Sequence, residues 1–191
     1  VLPSVWAWRQ GRVKVLKKNV DHILSILPFE KEFLKRFGMK CEFVGHPISA
    51  NIQPKTRDVI SFKRKLSIKD STKIVTLLPG SRISELHRML PIFLKTARLL
   101  NAKFSNIVFI CPTPKVVEKP FIELTSKKSI KIVHISSVSV SSDEFEKLKK
   151  SLYACSDLAL VTSGTVVLEL AKASVPMIVG YRAGLLTEII Y

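Results

Sequence analysis

Short apolar runs alternate with amphipathic segments along almost the whole chain of 191 residues. Runs such as "KIVTLL", "NIVFIC" and "DLALV" have the length and the branched side chains of buried strands. The segments between them carry apolar residues at helical spacing. A strand that is repeatedly followed by a helix is the pattern of a parallel sheet covered by helices. The chain is therefore predicted to be an α/β protein.

The alternation is interrupted by a polar, proline-containing stretch. Residues 1–47 are predicted to run strand, helix, strand, helix, strand, with the first strand over residues 2–8. Residues 51–56 have the composition of a linker. This linker separates a first, partial domain at residues 1–50 from a doubly wound domain at residues 57–191.

Two of the predicted helices carry additional local signals. Pro91 lies inside the apolar stripe of residues 84–100, which predicts a kink or a new helix start at the proline. Asp143 and Glu146 have the spacing of a capping box, which predicts a helix start near them.

The chain is strongly basic. Lysine and arginine number 31 against 15 aspartate and glutamate, which gives a net charge of +16. Residues 1–50 hold nine basic and four acidic side chains, so the excess is spread along the chain rather than collected in a tail. The positive electrostatic potential of such a chain attracts polyanions, among them nucleic acid, anionic lipid and phosphorylated substrates. An abundance of lysine without a binding role explains the same charge equally well.

Cysteine and histidine usage argues against a metal centre. Cys41, Cys111 and Cys155 are odd in number and lack metal-ligand spacing, which favours reduced thiols in a cytosolic protein. The four histidines stand apart, and His46, in "VGHP" at a predicted strand end, is the one expected to face a cleft. No apolar run has bilayer-spanning length, and the first residues lack the order of a signal peptide. We therefore expect a soluble chain, at most peripheral to a membrane.

Two strand-to-helix turns carry residues suited to binding an anion. In the first, "LLPGSRISE", a buried strand ends at Leu78 and Gly80 turns the chain. Ser81 and Arg82 then lie at the helix start, where backbone amides and a guanidinium favour a phosphate. Ligands of open α/β sheets bind beyond the carboxyl ends of the strands. A serine cap beside a solvated arginine is the ordinary alternative, and such caps are common.

The second turn is "SGTVVLE". Ser163, Gly164 and Thr165 open a helix directly after a strand, and the glycine lets a ligand approach the backbone. Free amides at a helix start suit a diphosphate. Glu169 lies one turn after Thr165 on the same helix face, where it could accept hydrogen bonds from the two hydroxyls of a ribose. The alternative is a capped helix with a solvated glutamate. Neither turn is a Walker A loop or a GxGxxG motif, so a dinucleotide cofactor is not predicted.

Several motifs occur together in a particular order, namely "PSVWAWRQGRVK", "LPFEKEF", "FVGHP", "LLPGSR", "SGT" followed by "LE", and "PMIVGYR". In this order and context they resemble the lipid-A-disaccharide synthases, bacterial glycosyltransferases with two facing Rossmann-like domains (the GT-B architecture). The resemblance covers nearly the whole chain, and "SVWAWRQGR" is its most diagnostic part.

The resemblance implies that the chain is the middle and end of a longer enzyme. Residues 1–50 would be a remnant of the N-terminal, acceptor-side domain, and residues 57–191 a nucleotide-sugar-binding domain without its C-terminal end. The implied reaction transfers diacylglucosamine from its UDP donor to diacylglucosamine 1-phosphate, which gives the β-1,6-linked lipid A disaccharide 1-phosphate and UDP. The resemblance implies no metal, no cofactor and no nucleic-acid partner, and places the protein in the cytoplasm, peripheral to the inner membrane at an anionic surface.

The resemblance also assigns candidate site residues. Those of the nucleotide-sugar site are Gly80, Ser81, Arg82, Ser163, Gly164, Thr165 and Glu169. Those of the acceptor side of the cleft are Trp8, Arg9, Gln10 and His46. The family's general base, an aspartate of the N-terminal domain, has no counterpart here, so the chain alone is expected to be inactive. The alternatives are another UDP-sugar enzyme of the same fold, such as an epimerase, a basic nucleic-acid-binding module, and a nonfunctional gene fragment.

Overall fold

The computed structural model describes residues 2–7, 9–50, 53–126 and 130–183. The chain divides into two compact units, unit 1 (Val1–Ile52) and unit 2 (Gln53–Tyr191). Each unit combines helices with a parallel sheet, so the predicted α/β class is confirmed. The assignment of the units to an acceptor-side domain and a nucleotide-sugar domain stays a prediction.

Unit 1 contains two helices and a two-stranded parallel sheet. Its elements in chain order are α1 (Arg12–Asn19), β1 (His22–Ser25), α2 (Glu30–Lys35), β2 (Lys40–Phe43) and a 3-10 turn (Pro47–Ala50). The two strands pair in parallel, with Ile23 opposite Cys41. The core of unit 1 consists of buried apolar side chains from the N-terminal segment before α1, from both helices and from β1, namely Leu2, Val5, Val13, Ile23 and Leu34.

The strand predicted over residues 2–8 is wrong for the described part of that segment. The amide of Ala7 donates to the carbonyl of Ser4 at 3.2 Å and closes a turn. Leu2 and Val5 are both buried. Because a turn can bury two apolar residues three positions apart, so short a pattern does not distinguish it from a strand.

A buried carboxylate of α2 holds the N-terminal turn of unit 1 in place. Glu30 is 2% exposed and accepts hydrogen bonds from the indole N–H of Trp6 at 3.1 Å and from the amides of Ile26 and Leu27 at 3.1 and 3.0 Å. The Trp6 ring also meets the ring of Phe29 edge to face, with the centroids 4.9 Å apart. Because a buried charge is costly unless it is hydrogen-bonded, this arrangement fixes Trp6 as a structural residue of unit 1.

Unit 2 is a five-stranded parallel sheet with helices between its strands. Its elements are α3 (Thr56–Lys65), β3 (Lys73–Leu78), α4 (Ile83–Lys103), β4 (Ile107–Thr113), α5 (Lys115–Thr125), β5 (Ile132–Ser136), α6 (Ser142–Ala154), β6 (Leu158–Thr162), α7 (Val166–Lys172) and β7 (Met177–Gly180). The strand order is β5-β4-β3-β6-β7. The chain builds outward from β3 through β5, then returns to the other side of β3 for β6 and β7. This is the Rossmann order, in which ligands bind at the reversal point between the first and fourth strands.

Two apolar layers cover the faces of this sheet. One layer includes the buried side chains of α4 and α5, and the other those of α3, α6 and α7. β3 supplies Val75 and Leu77 to the first layer and Ile74 and Leu78 to the second, as the alternation of a strand requires. A parallel sheet buried on both faces has the near-continuous apolar strands that the sequence shows.

Two local predictions about helices are changed by the structure. α4 runs through Pro91 as one helix of 21 residues, so no new helix begins at the proline, whereas the alternative, a kink at Pro91, stays a prediction. Burial of the apolar stripe on both sides of this exposed residue outweighs the hydrogen bond that a proline removes. α6 is capped earlier than predicted, because the hydroxyl of Ser141 accepts the amide of Glu144 at 3.2 Å. Asp143 therefore lies inside the helix and is not its cap.

Side chains join the amino ends of β3 and β6. Asp157, directly before β6, accepts hydrogen bonds from the ammonium of Lys73 and the amide of Ile74, each at 2.8 Å. The hydroxyls of Thr76 and Ser156 lie 2.6 Å apart beside it. Burial acts to raise the pKa of Asp157, but these hydrogen bonds and the nearby lysine charges outweigh it, so its pKa lies below the ordinary value. The amino ends of β3 and β6 are thus joined by the protein's own polar groups.

Candidate functional site

A cavity of about 420 Å³ lies at the opposite, carboxyl edge of the same sheet. Its walls come from the ends of β3, β4 and β6, from the turns that follow them, and from α6 and α7. The residues predicted for the nucleotide-sugar site all line this cavity, namely Gly80, Ser81, Arg82, Ser163, Gly164, Thr165 and Glu169. The fold therefore brings two turns that are distant in sequence to the reversal point of the sheet.

The first turn is packed tightly against α4. Gly80 has a φ of 114°, a conformation that favours glycine. A Cβ atom added to it would lie 2.5 Å from the Cβ of Glu85 and 2.8 Å from its Oε2. The glycine is therefore required by the fold itself, because any larger residue would displace Glu85.

The carboxylate of Glu85 occupies the start of α4. Its Oε2 accepts the amides of Ser81 at 3.2 Å and Arg82 at 3.4 Å, and its Oε1 accepts Nη1 of Arg82 at 2.8 Å. The side chain of Glu85 is 12% exposed, whereas that of Arg82 is 79% exposed. The amides that the sequence suggested for an anion are thus already paired with the protein's own carboxylate. The Arg82 guanidinium uses one of its five N–H donors in this ion pair.

The second turn is built without such a carboxylate. Thr165, the N-cap of α7, makes no side-chain cap hydrogen bond. A Cβ atom added to Gly164 would meet no atom of the described residues within 4 Å. At the end of β6, Thr162 is 3% exposed, and its hydroxyl has no hydrogen-bond partner among the described residues. Open space beside an uncapped helix start suits an oxygen-rich ligand such as a diphosphate.

Glu169 has a cationic neighbour on α6. Nζ of Lys149 lies 3.7 Å from Oε2 of Glu169 and 2.9 Å from Oε1 of Glu146. The side chains of Lys149 and Glu169 are 17% and 27% exposed. This ion pair explains how a glutamate between two leucines is accommodated, and it leaves the carboxylate accessible at the cavity wall.

The cavity wall contributed by α6 and by the end of β4 was missed by sequence analysis. Phe145, Lys149 and Tyr153 line it from α6, and Pro112 and Pro114 from the end of β4. The three α6 residues are spaced four apart, which signals a common helix face. Which turns that face meets depends on the strand order, and this order is not evident from the sequence.

Tyr153 adds a neutral hydroxyl to this wall. Burial raises its pKa well above the ordinary value, and the charges of Glu169 and Glu146 raise it further. The phenol therefore stays protonated at neutral pH, and its hydroxyl remains able to donate a hydrogen bond.

The residues predicted for the acceptor side lie in unit 1. Arg9 and Gln10 are exposed, and the Gln10 side-chain amide donates to a main-chain carbonyl four residues earlier at 3.4 Å. Nδ1 of His46 accepts the amide of Ile48 at 3.2 Å and so stabilises the start of the 3-10 turn. Trp8 lies outside the described residues. A role for these four positions in acceptor binding stays a prediction.

The fold and the cavity define a Rossmann-like α/β protein of the kind found in GT-B glycosyltransferases. Among solved structures, the chain resembles the wall teichoic acid polymerase TagF, with a TM-score of 0.51 and 12% sequence identity. The match covers 88% of this chain and 41% of that chain. At this identity the likeness shows the fold alone.

The chain belongs to the lipid-A-disaccharide synthetase family, LpxB, whose model matches residues 1–191. It is 37% identical over 183 residues to the lipid-A-disaccharide synthase of Idiomarina loihiensis, covering 95% of this chain and 46% of that protein. It is 35% identical over 192 residues to the lipid-A-disaccharide synthase of Acinetobacter baylyi, covering 100% of this chain and 48% of that protein. The chain thus spans about half the length of the curated relatives it matches. The family resemblance is confirmed, and these comparisons give no support to the epimerase, nucleic-acid-binding or gene-fragment alternatives.

Proposed function

We propose that unit 2 is the UDP-sugar site of a lipid-A-disaccharide synthase. The observation that carries the proposal is the cavity at the reversal point of the sheet, where an exposed arginine, an uncapped helix start and an accessible glutamate lie around one space. Family membership supplies the substrate class, a UDP-linked diacylglucosamine. A guanidinium and free amides suit the diphosphate, and a carboxylate suits the ribose.

The whole enzyme would join two acylated glucosamines. The 6-hydroxyl oxygen of diacylglucosamine 1-phosphate forms a bond to C1 of the donor sugar while the bond from C1 to the UDP oxygen breaks. The hydroxyl proton passes to a general base, for which we assign no residue of this chain. Attack opposite the leaving group inverts C1 and gives the β-1,6-linked disaccharide 1-phosphate and UDP.

Within this reaction, the residues of unit 2 act on the leaving group. The amides around Gly164 and Thr165 and the guanidinium of Arg82 would bind the diphosphate, whose negative charge grows as the bond to C1 breaks. Glu169 would accept hydrogen bonds from the ribose hydroxyls, and Tyr153 would close the cavity behind it. UDP is thereby made a better leaving group and is held in place while the acceptor attacks.

We also propose an anionic membrane surface as a partner of the whole protein. The substrates carry both phosphate and acyl chains, and the chain has a net charge of +16. Each lysine or arginine near an anionic leaflet contributes about 1 kcal/mol of attraction. Among the described residues, no helix is both long and apolar enough to cross a bilayer. We propose that the association is peripheral, on the cytoplasmic side of the inner membrane.

Calorimetric titration of the chain with UDP, pyrophosphate and uridine tests the nucleotide site. Arg82→Ala should weaken UDP and pyrophosphate roughly tenfold to a hundredfold and spare uridine, since a charge-assisted hydrogen bond to phosphate is lost. Glu169→Gln should weaken UDP and uridine and spare pyrophosphate, because its carboxylate contacts the ribose.

Two matched variants control for the change of charge. Arg57→Ala removes a guanidinium that is also 79% exposed, and Glu144→Gln neutralises a glutamate of α6 that pairs with Lys65 at 3.4 Å. Neither residue lines the cavity, so both variants should bind all three ligands like the wild type. If the wild type binds none of the ligands, or if Arg82→Ala and Glu169→Gln bind all three like the wild type, the two turns are structural and the proposed site is wrong.

A further inference from the structure

We propose that Glu85 is a positioning residue for phosphate recognition, which holds the Arg82 guanidinium at the cavity wall and closes the start of α4 to the ligand. This inference rests on the proposed function. It assigns the two turns different tasks: the first presents a side chain to the phosphate, and the second presents its backbone amides.

The geometry around Glu85 makes it a rigid anchor. Its carboxylate has one oxygen on the guanidinium, at 2.8 Å, and the other on two backbone amides of the turn. Its side chain is 12% exposed and packs against the position where Gly80 lacks a Cβ. The exposed guanidinium of Arg82 is therefore paired with a carboxylate that two backbone hydrogen bonds and packing at Gly80 hold in place.

Such an anchor matters most for a long, exposed side chain. A free arginine loses rotamer entropy when it binds a phosphate, whereas an arginine that is already held loses less. The negative charge of Glu85 opposes phosphate binding, but the guanidinium and the two amides paired with it offset that charge. Holding Arg82 in place strengthens phosphate binding, whereas the negative charge of Glu85 weakens it. The phosphate affinity of a Glu85 variant therefore shows which of the two effects is larger.

The same carboxylate determines which backbone amides remain for a ligand. The amides of Ser81 and Arg82 both point at Glu85, so α4 offers neither of them to a phosphate. At the second turn, the N-cap Thr165 makes no side-chain cap hydrogen bond, and no atom of the described residues lies within 4 Å of a Cβ placed on Gly164. A diphosphate would therefore sit on the second turn and be met by Arg82 from across the cavity.

Glu85→Gln separates the ion pair from the helix cap. The amide oxygen of glutamine still accepts the backbone N–H groups, so the thermal midpoint should change little, whereas the charged anchor for Arg82 is lost. We expect pyrophosphate and UDP to bind roughly threefold to tenfold more weakly, with uridine unchanged. On an Arg82→Ala background, Glu85→Gln should cause no further loss. Glu144→Gln is the control for removal of one negative charge, and it should leave all three affinities unchanged.

Each other outcome overturns the inference. Tighter pyrophosphate binding by Glu85→Gln would mean that Glu85 competes with the phosphate for Arg82. Unchanged affinity would mean that Glu85 is a helix cap alone, and an equal loss on the Arg82→Ala background would mean that it acts independently of the arginine.

Should Glu85→Gln prove unfolded by circular dichroism, the same titrations with Glu85→Asp, whose shorter carboxylate also loses the guanidinium, carry the same expectation. A wild-type chain that binds neither UDP nor pyrophosphate overturns the proposed function together with this inference, whereas normal wild-type binding with unaffected variants overturns this inference alone.

Discussion

The two strand-to-helix turns of unit 2 line one cavity but use their glycines for different purposes. At the first turn, Gly80 has a φ of 114° and leaves room for the side chain of Glu85. At the second, a Cβ atom on Gly164 would lie more than 4 Å from every described part of the chain outside its own neighbours. The first glycine serves the fold, whereas the second leaves room beside it among the described residues. In the sequence the two glycines give the same signal, and the structure separates their roles.

The two turns also differ in whether the protein's own groups satisfy their hydrogen bonds. Glu85 pairs the amides of the first turn, whereas the N-cap of α7 makes no side-chain cap hydrogen bond and the buried hydroxyl of Thr162 has no partner among the described residues. Because unpaired buried polar groups are costly, natural proteins retain few of them without a reason. In the described part of the chain, Thr162 is the one such group that lies at the second turn, and a ligand bound in the cavity there would give its hydroxyl a partner.

The largest effect is expected at the first glycine. Gly80→Ala places a methyl group against Glu85 at a backbone angle that alanine rarely adopts, and it should reduce the free energy of unfolding by about 2 kcal/mol or more. Urea denaturation followed by circular dichroism measures this loss. An unfolding midpoint equal to that of the wild type would contradict the view that this turn is constrained by the protein itself.

At the second glycine the same substitution should act on binding rather than on folding. Gly164→Ala should change the free energy of unfolding by less than about 0.5 kcal/mol, because the added methyl group meets open space. The methyl would occupy the space proposed for the diphosphate, so affinity for pyrophosphate should fall at least about tenfold. Gly11→Ala is the matched control, since a Cβ at Gly11 also meets no atom within 4 Å. Retained affinity in Gly164→Ala would show that no ligand approaches this backbone.

A third variant makes the second turn resemble the first. Leu168 is 44% exposed and is the third residue of α7, the position that Glu85 occupies in α4. Leu168→Glu should cap α7 and repel phosphate, which lowers the affinity for pyrophosphate roughly twofold to fivefold beyond the neutral control Leu168→Gln. Equal affinities in the two variants, measured by calorimetry, would argue that the start of α7 does not bind the anion.

The smallest effect is expected at the other edge of the sheet. The pKa of Asp157 lies below its ordinary value in the folded chain, so its carboxylate stabilises the fold above the unfolded pKa of about 3.9, and this contribution is lost as the pH falls through the lower folded pKa. Asp157→Asn should cost less than about 1 kcal/mol at neutral pH, and the difference from the wild type should shrink below about pH 4. Pyrophosphate affinity should not change. Weaker binding in this variant would show that the two edges of the sheet are coupled.

The sequence was sufficient for the features that depend on local chemistry. Alternating strands and helices predicted the α/β class, and the two turns were predicted because glycine, serine and arginine at strand ends have local meaning. The predicted strand over residues 2–8 failed because a buried turn mimics a short strand.

The features that depend on tertiary contacts could not be predicted in this way. The part played by Lys149 and Tyr153 follows from the position of β6 beside β3, which places α6 against the cavity. These two roles depend on strand order, which residue spacing does not encode. Glu85 differs, because its contacts with Ser81 and Arg82 are local and have the spacing at which a glutamate of the first helical turn reaches back to the helix start, a signal that the sequence analysis did not use.

The anchoring of Trp6 by Glu30 in unit 1 has a spectroscopic consequence: the unfolding of the two units can be followed by two different signals. Both tryptophans, Trp6 and Trp8, lie within unit 1, and residues 53–191 contain none. Indole fluorescence therefore follows unit 1, whereas far-ultraviolet circular dichroism is dominated by the helices of unit 2. In a single denaturant titration, coincident transitions mean that the two units unfold as one, and separate transitions give each unit its own stability.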